Sequence, residues 1–340
     1  MRLFLFTLSF ALLALGFCLP ASAASFDCAK ASSVFEKTIC ADPELSADDD
    51  TLAVAYATAT GGLTRTASDA MRAGQRSWLQ SLDIACADDM LPDDQPVDEA
   101  RTACLHTAYT SRISTLEASR MYSGLRVYNI DAYRAAPDPQ GENYYKVATH
   151  MQSLPRIDGD SELAKAFNAF VEKTEPKLAG SATAPPAEDE ASSDTELNVS
   201  VKRITDNRID LRVEGSWYGH GAAHGNYSID YLHFLRGENR ELTADDVLAG
   251  KDWQKHLADL VLAQLKADRG ELLWEIEQDW LEETVADPTR WDLSPEGLTM
   301  QFQPYEVASY ADGAVTATVP WTRLTDDLAE GADQLIVYDY

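Results

Sequence analysis

Apolar side chains recur at helical spacing in the first third of the chain. Three stripes with intervals of three, four or seven residues predict amphipathic helices: Leu45, Leu52 and Tyr56; Met71, Gln75, Trp78 and Leu82; and Leu105, Tyr109, Ile113 and Leu116. Asp42 and Pro43 form a start signal before the first stripe. The acidic, proline-rich residues 87–99 predict a loop between the second and third. Residues 24–118 are therefore expected to form a small all-α domain, either a helical hairpin or a three-helix unit.

From residue 123 onward apolar residues alternate with polar ones, which is the spacing of half-buried strands. Residues 197–201 and 209–213 flank a turn at Asp206 and Asn207 and predict a β-hairpin. Further strands are predicted at residues 298–302 and 315–321. Three helices are predicted by apolar residues at helical spacing: Leu163, Phe167, Phe170 and Val171, with Asp160 as cap; Trp253, Leu257, Val261 and Leu265; and Leu273, Ile276 and Trp280.

This order of strands and helices predicts an α+β domain over residues 123–340, with an antiparallel sheet and helices packed on one face. Within it, residues 180–194 combine alanine, proline and acidic side chains. That composition predicts a flexible surface loop.

The first 23 residues predict a secretory signal peptide. Arg2 precedes an apolar run at residues 3–19, and Ala21–Ala23 form an A-x-A cleavage site. The run is short for a membrane span, so cleavage after Ala23 is expected rather than a retained anchor. A lipid anchor on Cys18 is disfavoured because the residue before it is not small. We therefore expect a periplasmic or secreted protein with no membrane attachment after cleavage.

Four cysteines remain after cleavage, and all lie in the predicted helical domain: Cys28, Cys40, Cys86 and Cys104. An even number in an exported protein predicts two disulfides. Three connectivities exist, and the spacing favours Cys28 with Cys40 and Cys86 with Cys104, each closing a short loop and contributing ~3 kcal/mol. Metal binding is the weaker alternative because the chain has no C-x-x-C pair.

The mature chain is strongly acidic. Removing 23 residues from 340 leaves 317, enough for about two domains, and removing Arg2 from 28 basic side chains leaves 27 against 56 acidic ones. A net charge near −29 repels nucleic acid and anionic lipid and attracts basic partners. A solubilising coat would have the same composition, so charge alone names no partner.

Residues 218–228 read YGHGAAHGNYS and place His220 and His224 at the H-x-x-x-H spacing of zinc ligands. No glutamate lies between them, and each glycine around them costs a helix about 1 kcal/mol relative to alanine. We therefore expect a turn at positive φ after a strand that ends near Val213, with no metal and no cofactor. Because a G-x-S-x-G motif and an unpaired mature cysteine are also missing, the sequence predicts a binding protein rather than an enzyme.

Aromatic residues crowd around this turn: Trp217, Tyr218, Tyr227 and Tyr231. Large rings next to glycine and histidine are typical of recognition surfaces. The alternative is that Trp217 and Tyr231 belong to the core.

The helical part resembles the N-terminal domain of LprI-type lysozyme inhibitors. The resemblance rests on "CAKASSVFEKTICADPEL", "QRSWLQSLDIAC" and "CLHTAYTSRISTL" within residues 26–118. The matching positions are Cys28, Glu36, Ile39, Cys40, Asp49, Leu52, Tyr56, Gln75, Trp78, Leu79, Cys86, Cys104, Tyr109, Arg112 and Ile113. Asp48 departs from the pattern, which has an apolar residue there.

The second part resembles the extracellular domain of RsiV-type anti-sigma factors, a module also attached to polysaccharide deacetylases. The resemblance spans roughly residues 123–330 and is most distinctive in "GLTMQFQPYEVASYADGAVTATVPW". The turn YGHGAAHG departs from the pattern by one extra residue and by Ala222 in place of glycine. The sigma-binding segment, the membrane span and a deacetylase domain are missing, so neither of those activities is implied.

Both resemblances imply lysozyme as the partner, one as inhibitor and the other as sensor. The expected function is an exported envelope protein that binds lysozyme and occludes its cleft, through Tyr218, His220, His224, Asn226, Tyr227 and Tyr305. One alternative is an envelope module for peptidoglycan fragments or another basic secreted protein. The other is a metal-dependent envelope hydrolase that uses His220 and His224.

Overall fold

The computed structural model describes residues 24–141, 145–174 and 192–336. The predicted signal peptide lies outside these residues, as does the predicted loop up to residue 191. The end of that loop prediction is wrong, because Ser193 and Asp194 begin a strand and pair with Gly219 and Tyr218. In the described part of the chain, no helix is both long and apolar enough to cross a bilayer.

Four α-helices form the first part: α1 Val34–Ala41, α2 Pro43–Thr60, α3 Arg65–Ala85 and α4 Val97–Glu117. The three predicted stripes are confirmed, since their first members Leu45, Met71 and Leu105 are all buried. Asp42 caps α2 as predicted, and its carboxylate accepts the first amides of that helix. The additional helix, α1, begins at a capping box formed by Ser33 and Glu36.

Both predicted disulfides are present. Cys28 is bonded to Cys40 and thereby links the segment before α1 to the end of that helix. Cys86 is bonded to Cys104 and links the end of α3 to the middle of α4. The second bond closes the acidic, proline-rich loop that the sequence indicated.

Seven strands form the main sheet in chain order: β1 Met121–Tyr122, β2 Leu125–Pro137, β3 Val147–Ile157, β4 Ser193–Ile204, β5 Arg208–Gly219, β6 Asn226–Leu235 and β7 Arg240–Glu241. The α+β class and the β4–β5 hairpin are confirmed. The prediction of an antiparallel sheet needs one correction, because β3 and β4 run parallel. Parallel neighbours require a crossover, and helix α5, Glu162–Thr174, lies in that connection.

Helix α5 covers one face of the main sheet. Its Phe167 ring packs edge-on against Phe234 of β6 at 5.7 Å. The predicted cap at Asp160 is wrong by one residue, because Ser161 Oγ accepts the Ala164 amide at 3.1 Å.

A second sheet of three short strands, β8 Trp291–Leu293, β9 Leu298–Gln301 and β10 Thr316–Val319, packs against helices α6 Trp253–Arg269 and α7 Gln278–Val285. A short helix, α8 Asp333–Ile336, follows. The predicted helix through Leu273 and Ile276 is wrong. Gly270 adopts a φ of 54° and ends α6, and the chain becomes helical again only at Gln278.

Helix α3 covers the outer edge of β2. A Cβ at Gly74 would lie 3.0 Å from the carbonyl oxygen of Asp131, so the helix approaches the strand backbone closely. Ser77 Oγ accepts the edge amide of Tyr133 at 3.3 Å, and Ser119 Oγ accepts that of Asn129 at 3.2 Å. The helical part thus accepts backbone hydrogen bonds from an edge of β2 that could otherwise pair with another strand.

A buried polar network joins the same two parts. Arg112 of α4 donates to Asp131 of β2 at 2.5 Å and to Gln75 of α3 at 3.0 Å. Asp131 also accepts the hydroxyl of Ser153 from β3 at 2.8 Å. Because the Arg112 side chain is fully buried, this contact belongs to the interior rather than to an exposed surface.

Candidate functional site

The predicted recognition turn, residues 220–225, connects β5 and β6. Gly221 adopts a φ of 79°, so the glycine-permitted turn is confirmed. The predicted strand end near Val213 is wrong. Strand β5 continues to Gly219 because it stays paired with β4, and with β6 to Trp217, beyond the apolar alternation.

The ring of Trp217 lies over Gly219. A Cβ at that glycine would be 2.7 Å from the ring, so a side chain there would displace it. Trp217 is 48% exposed, whereas Tyr231 is 6% exposed. Of the two aromatics with alternative interpretations, Trp217 therefore lies on the surface and Tyr231 in the core.

His220 faces the interior, with a side chain that is 5% exposed. Its Nδ1 contacts the Asp138 carboxylate, and its Nε2 lies 3.3 Å from Asp194 Oδ2. Burial opposes ionisation of Asp138, but hydrogen bonds from Ser192, His220 and the Gln140 amide outweigh it and lower the pKa of Asp138. His220 therefore ties the turn to the residue that follows β2 and to the start of β4.

His224 lies on the outside of the same turn. Its ring stacks on Tyr310 with a centroid distance of 4.1 Å, and its Nε2 lies 3.2 Å from the Tyr305 hydroxyl. Tyr305 is 48% exposed and holds a φ of 70°, which is uncommon for a residue with a side chain. Such a conformation persists only where surrounding contacts fix it, and here it presents the ring to solvent.

The other predicted site residues also lie around the turn. The hydroxyl of Tyr218 donates to Tyr145 at 3.0 Å, and this bond together with desolvation raises the pKa of Tyr218. The Tyr227 hydroxyl accepts the Ala314 amide at 2.9 Å, and Asn226 is exposed at the start of β6. We call the rings of this region the aromatic surface; its exposed members are Tyr145, Trp217, His224 and Tyr305, and its half-buried members are Tyr218 and Tyr310.

The two histidines of the H-x-x-x-H spacing thus make separate contacts. His220 lies between two carboxylates, and His224 lies between two tyrosines. Within the residues that the structure describes, no group of three or more histidine, cysteine or acidic side chains is arranged to hold a metal ion.

The sequence did not identify four residues of this site: Asp138, Tyr145, Asp194 and Tyr310. Asp138 and Asp194 contact His220 from 82 and 26 positions away, and no local pattern marks them. Tyr310 lies in the distinctive stretch "PYEVASYADG", which could have suggested it.

The LprI-pattern positions in the helical part serve its interior. Asp49 accepts the hydroxyl of Tyr109 at 3.1 Å and both polar groups of Ser25 at 2.6 and 2.9 Å. Burial and the Asp49 charge raise the pKa of Tyr109. Gln75 accepts a hydrogen bond from Arg112, which holds Asp131 across the boundary between the two parts. Asp49, Gln75, Tyr109 and Arg112 are therefore explained by folding, whereas the matching position Leu79 is 49% exposed.

Two family models match the chain, and their ranges fall on these two parts. Residues 28–116 match the lysozyme inhibitor LprI family, and residues 242–322 match a protein family of unknown function, DUF3298. The chain carries an LprI domain and a DUF3298 domain. The second is the RsiV-like module that the sequence suggested, so both resemblances are confirmed.

Two solved structures of DUF3298 family proteins resemble this chain. A DUF3298 family member from Bacteroides fragilis is 19% identical, with 62% of this chain and 96% of that chain covered and a TM-score of 0.45. A DUF3298 family protein from Pseudomonas aeruginosa is 16% identical, with coverages of 60% and 94% and a TM-score of 0.41. No match was found among curated proteins.

Proposed function

We propose that this protein is exported to the periplasm or beyond, binds lysozyme and inhibits it by occluding the substrate cleft. The observation that carries the proposal is the LprI domain, whose family is described as a lysozyme inhibitor. Two disulfides in that domain fit an oxidising compartment, and cleavage after Ala23 would release the chain into one.

Charge supports a basic partner. A mature chain with 27 basic and 56 acidic side chains attracts a positively charged protein over long range and speeds its association. Many animal lysozymes are strongly basic, and a lysozyme of that kind is the partner we assign. The attraction falls with added salt, because the Debye length shortens from about 30 Å at 0.01 M to about 8 Å at 0.15 M.

The aromatic surface supplies the contact. Rings already held by hydrogen bonds and stacking lose little conformational entropy on binding, and tyrosine and tryptophan dominate interface energetics. Tyr305 and His224 form its most exposed fixed pair, at 3.2 Å between hydroxyl and Nε2. His220 acts from beneath by holding the turn. Tyr218, Asn226 and Tyr227 complete the contact around it.

The face of the LprI domain that carries Arg112 is not part of this contact. That face covers β2 within the same chain, and the Arg112 side chain has no exposed area. The proposal therefore assigns lysozyme recognition to the turn end of the sheet, with the LprI domain as the rigid support for its edge.

The test is a binding titration of purified residues 24–340 with hen egg-white lysozyme at low salt. We expect His224→Ala and Tyr305→Ala to weaken binding at least about tenfold, the effect of losing one interface anchor. His256→Ala is the matched control, because His256 is an exposed histidine of α6 and contacts Asp327. Unchanged affinity in both aromatic-surface variants would overturn the assignment of the contact.

Two other functions give different results in companion measurements. A peptidoglycan module would sediment with purified cell-wall sacculi whether or not lysozyme binds. A hydrolase that uses His220 and His224 would carry bound zinc and lose its activity on chelation. We expect the purified wild-type chain and His224→Ala to contain no stoichiometric metal.

A further inference from the structure

A groove crosses the open face of the main sheet, opposite the face that α5 covers. Two adjoining cavities of about 390 and 300 Å³ form it, and both are lined by Glu196, Ser216 and Tyr227. Strand register places these three residues in one row across β4, β5 and β6. We call this feature the sheet groove.

Both domains contribute walls to the sheet groove. Ser81 of α3 and Tyr133 of β2 line one end, where the LprI domain covers the sheet edge. Trp217 and Tyr310, which belong to the aromatic surface, line the other end. A ligand in the groove would therefore lie directly beside the proposed lysozyme contact.

Acidic side chains outnumber basic ones along the sheet groove. Its acidic lining residues are Asp194, Glu196 and Glu214. Arg134 is the one arginine or lysine that lines either cavity among the described residues, and it already has an interaction of its own. A phosphate or another anion is thus disfavoured here.

Of the acidic residues that line the sheet groove, Glu196 would be stabilised most by a nearby positive charge. Partial burial and the nearby charge of Glu214 raise the pKa of Glu196. Glu214 pairs with Arg212 at 2.9 Å, whereas the Glu196 carboxylate has no ion pair among the described residues. A positive group placed in the groove would relieve the repulsion between the two glutamates.

Aromatic rings add a second attraction for the same kind of group. Tyr227 lines both cavities, and a cation over the face of such a ring gains about 0.5–1 kcal/mol at an exposed site. The protein uses this arrangement further along the same strands. There the Lys202 ammonium contacts Asp292 and lies 4.9 Å above the Tyr231 ring.

We propose that the sheet groove receives an arginine or lysine side chain from the bound basic protein. The cationic head lies beside Glu196 and Glu214, and the aliphatic stem follows the ring of Tyr227. This proposal rests on the proposed function for the identity of the bound protein. It adds a specificity pocket that depends on both domains and that selects for positive charge.

The first test uses no lysozyme. The protein is labelled with 3-fluorotyrosine, and the Tyr227 signal among fourteen tyrosines is assigned with Tyr227→Phe. Acetyl-Arg-Gly-Arg-amide is expected to shift that signal, whereas the peptide with uncharged citrulline in place of arginine is not. The variant Glu196→Gln/Glu214→Gln should lose the shift. An equal shift with citrulline, or none with arginine at millimolar concentration, would overturn the groove.

The second test measures lysozyme affinity of the same double variant. We expect a loss of about tenfold, since charge-assisted contacts are about twice as strong as neutral ones. Glu172→Gln/Glu283→Gln removes the same two charges from exposed helix positions and controls for long-range steering. Equal losses in both double variants would contradict a specific groove. Failure of wild-type protein to bind lysozyme would reject the proposed function, while the peptide test still decides the groove.

Discussion

Arg112 and Asp131 form a buried ion pair, at 2.5 Å, that joins the LprI domain to the sheet of the second domain. Their side chains are 0% and 1% exposed. A family position in a helical inhibitor domain thus has its partner on a strand of another domain. The two domains of this chain are consequently expected to depend on each other for stability.

Replacing one member of this pair should be costly. Arg112→Leu leaves the Asp131 carboxylate buried without its cation, and such a change costs about 3–5 kcal/mol. Urea unfolding followed by circular dichroism measures the loss. Lys255→Ala, which removes an exposed pair with Asp259, should change stability by less than about 0.5 kcal/mol. A loss of similar size in both variants would show that the buried pair does not join the domains.

The disulfides should stabilise the LprI domain through its unfolded state. They span 12 and 18 positions, and closing a loop of that size contributes about 3 kcal/mol. Cys86→Ala/Cys104→Ala should therefore lower the unfolding temperature. A reductant should then change the unfolding temperature of this variant less than that of the wild type. Thermal scans with and without dithiothreitol measure this, and an unchanged midpoint after reduction would contradict it.

Asp246 should make stability depend on acid pH. The hydrogen bond from Arg240 lowers the pKa of Asp246 to about 2 from the ordinary value of 3.8. A carboxyl with a lowered pKa contributes stability above its unfolded pKa, and that contribution is lost as pH falls from 3.8 through about 2. After allowance for solvent screening we expect about 1 kcal/mol.

The measurement compares wild type with Asp246→Asn at pH 7 and at pH 2. The variant should be less stable at pH 7 and equally stable at pH 2. Asp245→Asn changes the exposed neighbouring residue and should match the wild type at both pH values. A difference between wild type and Asp246→Asn that persists unchanged at pH 2 would rule out ionisation as the cause.

Gly219 should be required for the position of the Trp217 ring. Because a Cβ there would lie 2.7 Å from the ring, Gly219→Ala forces the ring to move at a cost of about 1–3 kcal/mol. In protein labelled with 5-fluorotryptophan, the fluorine signal of Trp217 should change, and the affinity for lysozyme should change with it. Gly237→Ala meets no atom within 4 Å and should change neither. Identical spectra for the two variants would show that the ring does not depend on Gly219.

The sequence predicted those helices and strands in which apolar residues repeat regularly along one buried face. Met71, Trp78 and Leu82 repeat at helical spacing because one face of α3 is buried. Strand β2 was not predicted, because Asn129 and Asp131 are polar and yet buried. Their burial depends on Arg112 and Ser119 of the helical part, and no period along β2 itself reveals that.

The candidate site was predictable as a turn but not as two different histidine environments. The glycines around His220 and His224 indicate irregular backbone, and positive φ at Gly221 confirms it. The direction in which each ring points depends on Asp138 and Tyr310, which are 82 and 86 positions away. Such long-range partners are fixed by topology rather than by local spacing.

Inhibition of muramidase activity tests the central claim most directly. Purified residues 24–340 are titrated into hen egg-white lysozyme acting on bacterial cell walls, at 10 mM and at 500 mM salt. The account predicts inhibition at low salt that saturates with added protein, weakens at high salt, and is reduced by Tyr305→Ala. Full lysozyme activity at low salt, with no complex detected by size-exclusion chromatography, would contradict it.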